Sequence, residues 1–164
     1  MTDEKQLFAI FDELLQAHEA LLSLAHEKKD ILIKGELDKL SALTGQEWRW
    51  IQRIESLEKE RMSHVAAFAR KKGMAEESLT ARQLPSLLGD PFLSARMKGM
   101  IERLTSVLDE LKKANELNAQ LLRQSLAFVQ MTLDLLTDIP NSIQYHERGT
   151  TASAPRRSFF DAKV

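Results

Sequence analysis

The chain predicts an all-α fold: an elongated antiparallel bundle of three long, coiled-coil-like helices with a short helical connection and a flexible C-terminal tail. Three observations carry this expectation. Leu, Ala, Glu, Lys, Gln and Arg dominate the 164 residues, and these are the side chains that lose least freedom in a helix. Apolar residues recur at three- and four-residue steps over long stretches, as one face of a helix requires. The strong breaks are few: a Gly corner at Lys34-Gly35-Glu36, a Gly after three bases at Gly73, and Asp90-Pro91. The predicted boundaries are a helical bundle over residues 1–139 and a tail over 140–164.

The first helix runs from Asp3 to about Ile33 on a stripe that includes Leu7, Phe8, Phe11, Leu14, Leu21, Ala25 and Leu32. Gly35 turns the corner without a steric penalty. The second helix runs from about Leu37 to Lys72, with its apolar face read through Leu37, Leu40, Thr44, Trp48, Ile51, Ile54, Met62, Val65 and Ala69. On that projection Trp48 belongs to the core, while Trp50 lies with Leu43, Leu57 and Phe68 about 200° around the axis from it. Residues 74–90 make a structured connection with a turn or two of helix capped by Thr80. Asp90 caps the third helix and Pro91 occupies its first position, where a missing N–H costs nothing. That helix is expected to end near Asp138, stopped by Pro140.

The lysines and arginines (23) and the aspartates and glutamates (24) nearly cancel, so no overall field collects nucleic acid or an anionic membrane. The absence of Cys removes disulfides, thiolate metal sites and Cys nucleophiles. The acidic start MTDEKQLF is unlike a signal peptide, and no apolar run approaches the roughly 18 residues that span a bilayer. A cytoplasmic protein with no stable membrane insertion is expected. His18 and His26 lie roughly 12 Å apart along one helix, too far to share a metal, and no Glu-x-x-His pair occurs. No phosphate loop, nucleophile elbow or triad combination appears. The expectation is a protein without catalysis, metal or cofactor.

The informative feature is a change along the third helix. Projected at 100° per residue, its first half has one stripe through Met97, Met100, Ile101, Leu104, Val107, Leu108 and Leu111. In the second half that stripe continues through Leu122, Leu126, Val129, Leu133 and Leu136. A second set appears about 120° away, comprising Leu117, Leu121, Phe128, Met131, Leu135 and Ile139. Either both partner helices pack on this half, or the extra face is left for another protein in the helix-in-groove manner. Pattern alone does not choose. Asn115, Asn118 and Ser125 interrupt the stripe with polar groups, as happens where packing stays adaptable or register must be fixed.

Residues 21–47, LLSLAHEKKDILIKGELDKLSALTGQE, and residues 114–136, ANELNAQLLRQSLAFVQMTLDLL, followed by Tyr145, Gly149 and the ending SFFDAKV, resemble the FlgN family of flagellar export chaperones. The resemblance covers most of the chain and is weakest from Ser56 to Leu93. It implies a small cytosolic chaperone that binds the hook-filament junction proteins FlgK and FlgL before secretion and carries them to the flagellar export apparatus. It also implies that the C-terminal helical region holds the client's terminal helical segment, which makes the second set above the candidate client face. Phe159, Phe160 and Asp161 in the tail are a docking motif, a self-capping segment or simply the end of the chain. The competing reading is a coiled-coil adaptor or scaffold that self-associates; a metal-binding bundle enzyme comes third.

Overall fold

A computed structural model describes residues 3–76 and 79–148, with side chains up to residue 137. The regular elements among the described residues are all helices, without a strand. They form α1 (Asp3–Lys34), α2 (Leu37–Lys71), a 3-10 turn (Ala81–Gln83) running into the single-turn α3 (Leu84–Leu87), and α4 (Pro91–Arg148). The expected three long helices and short connection thus fold as four α-helices, the third only four residues long.

Glycine chemistry sets both ends of α2. Gly35 has φ 71°, and the Glu36 N–H beyond it reaches the Ile31 carbonyl at 3.1 Å, closing α1 with a Schellman-type cap. Gly73 repeats this with φ 69°: Met74 N–H donates to Ala69 and Gly73 N–H to Arg70, each at 3.0 Å. In the connection the Thr80 N–H donates to Gln83 Oε1 at 2.9 Å. Asp90 caps α4 as expected, its Oδ1 accepting the Phe92 N–H at 2.8 Å.

The far end of α4 differs from expectation. The helix does not stop at Pro140 but continues to Arg148. Proline deletes one backbone hydrogen bond, yet its locked φ of about −65° is itself helical, so the residues on either side carry the helix through. The expected tail from residue 149 onward, with Phe159, Phe160 and Asp161, lies outside the described residues.

The chain divides into two units, residues 1–123 and residues from Gln124 onward. In the first unit α1 and α2 form an antiparallel hairpin, pinned along its length by ion pairs Asp3–Lys71, Glu13–Arg53 and Lys28–Glu47. The α4 segment runs parallel to α1, as Arg103 bonding Glu19 and Asn118 bonding Ala25 show. A core cluster at the end opposite the Gly35 corner gathers Leu7, Phe8 and Phe11 of α1, Val65 and Phe68 of α2, Leu84 and Leu88 of the connection and Met97 of α4. Two further clusters, around Leu14 and Leu57 and around Leu24 and Leu43, zip the hairpin alone.

The buried face of α2 is only in part the one expected: Val65 and Ala69 of that stripe are buried, but Leu43, Leu57 and Phe68 replace its earlier positions. Leu43, Leu57, Val65, Phe68 and Ala69 are buried, whereas Trp48, Ile51 and Met62 are 51%, 48% and 63% exposed. Trp48 is therefore not core, and Trp50, 38% exposed, lies at an edge. The helix carries two apolar faces about 100° apart, and the hairpin selects the one holding Leu43, Leu57 and Phe68.

The ion pairs set a pH dependence. Hydrogen bonds from Lys71 to Asp3, Lys39 to Glu36 and Lys113 to Asp109 hold these carboxyls below their ordinary values. A depressed carboxyl stabilises above its unfolded value and loses that contribution as pH falls through its folded one. Lys39 and Lys113 are correspondingly raised by the same partners, and their contribution fades as pH rises past the ordinary 10.5. These groups sit at the surface, Asp3 and Glu36 half-exposed and the others exposed, so the effects are small and screened by salt. Thermal scans should show a flat midpoint from about pH 5 to 9 with shallow losses outside it, reduced further in about 1 M salt.

Candidate functional site

The buried line of α4 explains why the helix changes character. Met97, Val107, Leu111 and Asn118 are buried, and Met100, Leu104, Ala114 and Leu121 half-buried. These positions follow a seven-residue repeat: Met97, Leu104, Leu111, Asn118, Ser125, Thr132 on one row and Met100, Val107, Ala114, Leu121, Phe128, Leu135 on its companion. A 3.6-residue helix drifts about 20° per heptad against such a repeat. Over the 38 positions from Met97 to Leu135 a straight 100° projection therefore rotates the seam by roughly 100°. Leu121, Phe128 and Leu135, which that projection separates as a second stripe, continue the line that is covered upstream. Leu122, Val129 and Leu136 flank this seam on one side, in register with Ile101, Leu108 and Asn115, and Leu117 and Met131 flank it on the other.

What changes is both the composition and the covering of the seam. Its first row is apolar as far as Leu111 and then becomes Asn118, Ser125 and Thr132. Its flank, charged at Arg103 and Glu110, becomes Leu117 and Met131. Among the expected client-face residues, Leu117 is 41% exposed, Phe128 64%, Met131 54% and Leu135 62%. Leu121 is half-buried, and the Ile139 side chain lies outside the described residues. Leu122, Leu126, Val129 and Leu136 are exposed as well. An apolar seam and both its flanks thus face outward over the same stretch of α4, a concentration that scattered surface leucines do not produce.

Asn118 marks the end of the covered part. Its Nδ2 donates to the Ala25 carbonyl at 2.8 Å, a bond that fixes which way the amide points. Its Oδ1 is buried and has no hydrogen-bond partner among the described residues. Such a group costs roughly 1–3 kcal/mol. Beside it, within the first unit, α4 stands off from the hairpin and leaves a cleft of about 440 Å³. Leu21, Lys28 and Leu32 of α1, Leu40, Thr44, Glu47 and Ile51 of α2, and Leu111, Asn115 and Leu122 of α4 line it together with Asn118. Thr44 and Ile51 come from the α2 face that the hairpin core leaves unused.

His18 is buried with its Nδ1 2.7 Å from the Leu14 carbonyl of its own helix, a core histidine satisfied by backbone. Among the described residues, no cluster of three or more His, Cys, Asp or Glu side chains is placed to hold a metal ion. No described helix is long and apolar enough to cross a membrane.

The chain is 30% identical over 163 residues to the Bacillus subtilis (strain 168) protein described as "Uncharacterized protein YvyG", an alignment covering 98% of each chain. No solved structure matches. The family described as FlgN protein matches residues 1–153, nearly the whole chain including both helical segments that carry the resemblance. The chain belongs to the FlgN family, a membership that implies a flagellar export chaperone.

Proposed function

We propose that this protein is a cytoplasmic chaperone for the hook-associated proteins FlgK and FlgL, binding the terminal helical segment of each through the distal half of α4 and delivering it to the flagellar export apparatus. The observation that carries the reading is the outward-facing seam: Phe128, Met131 and Leu135 are each more than half exposed on one helix. A client helix laid along it would bury leucine-type side chains at i, i+3, i+4 and i+7, the helix-in-groove mode. Two requirements meet here. The client's own apolar terminus must be kept from premature assembly, and it must be released at the export apparatus, so the binding surface is a modest one and not an obligate core.

The alternative, a scaffold that self-associates, uses the same seam against a second copy. Mixing the chain with the terminal helical segment of FlgK or FlgL separates the two. The chaperone forms a 1:1 complex by light scattering coupled to gel filtration, and the protein alone remains monomeric at the same concentration. Self-association without client binding would establish the scaffold instead.

A further inference from the structure

We propose that residues 157–161 of this chain, turned back at Gly149, seat Phe159 and Phe160 on the exposed distal seam of α4 and cover it until a client helix displaces them. The inference rests on the chaperone reading and adds to it the regulation of the client face, by a placeholder carried on the same chain.

The seam sets the requirement and the chain supplies a group within reach. Phe128, Met131 and Leu135 stand in water, and such a row favours any apolar group held close to it. Phe159 and Phe160 are the aromatic residues of the segment 149–164, which lies outside the described residues. The stretch 149–158 separates them from the end of α4, and at about 3.3 Å per residue it reaches at most roughly 36 Å. Back along the helix from Arg148, Leu135 is about 20 Å away and Phe128 about 30 Å. The whole exposed seam is within the tether.

The direction of the tether follows a pattern that the chain uses twice already. The three long helices each run out into a base followed by glycine: Lys34-Gly35, Lys72-Gly73 and Arg148-Gly149. At the first two the glycine takes positive φ, which other residues reach only with strain, and the chain reverses. After Gly35 it returns along α1 as α2. After Gly73 it returns sooner, because Leu84, eleven residues on, packs with Val65 and Phe68 of the helix it has just left. Phe160 stands at the same eleven-residue spacing from Gly149.

Charge selects this occupant over an arbitrary apolar one. Between Arg123 and Glu147 the helix carries Asp134 and Asp138 and no Lys or Arg. The tail carries Arg156, Arg157 and Lys163 against Asp161, so its two excess positive charges meet two negative ones. Asp134 is exposed next to Leu135, with one carboxylate oxygen accepting from Gln130 at 3.0 Å. In an extended segment alternate side chains share a side about 7 Å apart, so a Phe159 ring over Leu135 brings the Arg157 guanidinium towards that carboxylate. Surface pairs of this kind are weak and screened by salt. They orient the tail without locking it. A seam left open about one-tenth of the time binds its client about tenfold more weakly than a seam always open.

The chain contains no Cys, so a nitroxide on full-chain Ser158→Cys is the sole label and broadens the methyl signals of Met131 and Leu135 when the tail is seated. The same label in a chain also carrying Phe159→Ala and Phe160→Ala keeps the tether and removes the rings. The proposal expects the broadening to be lost in the double-alanine chain. It also expects that chain, unlabelled, to bind the terminal helical segment of FlgK about tenfold more tightly than the parent in a calorimetric titration. Equal broadening with and without the phenylalanines overturns the proposal and leaves the chaperone reading, which the titration of the parent tests by itself. Broadening that arises only between a nitroxide-bearing chain and a separate isotope-labelled one assigns the seam to the tail of a second copy and overturns it as well. Weaker client binding in the double-alanine chain places the rings in the client interface, against the proposal. If neither chain binds the segment, the chaperone reading falls and the placeholder role falls with it.

Discussion

Replacing Phe128 and Leu135 together by Glu is expected to abolish client binding while leaving the thermal midpoint within about 2 °C of the parent. Both side chains are more than 60% exposed, so neither substitution buries a charge in the free protein, and surface changes of this kind usually stay within about 0.5 kcal/mol. In the complex the same positions face a client helix. There, two carboxylates must be desolvated without partners, a penalty large enough to remove micromolar affinity. Calorimetric titration against the FlgK segment, with a melting curve on the same sample, reads both quantities. Leu121→Glu is a different experiment although it lies on the same row. Leu121 is half-buried where α4 still packs in the first unit, so its carboxylate is expected to lower the midpoint by several degrees as well as to weaken binding. Unfolding of the Phe128 and Leu135 variant would mean that the distal seam is core, and binding unchanged would remove it from the client interface.

The sequence carried much of the architecture because the relevant signals are local. Gly35, Gly73 and Asp90-Pro91 act within one helical turn, through backbone conformation and caps, and the helix boundaries they set at these three places were legible to within a residue or two. Pro140 was misread for the opposite reason: its effect depends on whether the helix on both sides is strong enough to continue, which is not a property of one residue. Face selection was harder still. On α2 two apolar rows compete, and only the partner helix decides that Leu57 and Phe68 go inside and Trp48 stays out. On α4 a fixed 100° projection separates into two stripes what the seven-residue spacing from Met97 to Asn118 follows as one drifting seam with its flanks. The polar sequence Asn118, Ser125, Thr132 on that spacing was the available clue to where close packing gives way. The cleft was not legible at all, since it depends on how far α4 stands from two helices whose facing rows are set elsewhere.

The same correction makes the second large effect specific. Phe68→Ala is expected to destabilise the protein by about 3–5 kcal/mol, the cost of emptying a buried aromatic site. Phe68 is 4% exposed and sits in the cluster where α1, α2, the connection and α4 meet, so its removal is felt by every element that meets there. Against a typical stability of about 5–15 kcal/mol this is a large fraction, and at about 2–4 °C per kcal/mol for a chain of this size it lowers the midpoint by roughly 6–20 °C. Trp48→Ala is expected to cost less than about 1 kcal/mol, because half of the side chain is already in water. A projection that places Trp48 in the core and Phe68 on the far side predicts the reverse order. Equilibrium denaturation of the two variants under one set of conditions therefore decides which face of α2 the hairpin buries. The packing explanation fails if Trp48→Ala proves the more damaging. It also predicts where the damage goes: hydrogen exchange in Phe68→Ala should accelerate first around residues 84–97, where Leu84, Leu88 and Met97 lose a common neighbour, and last around Leu24 and Leu43, whose cluster belongs to the hairpin alone.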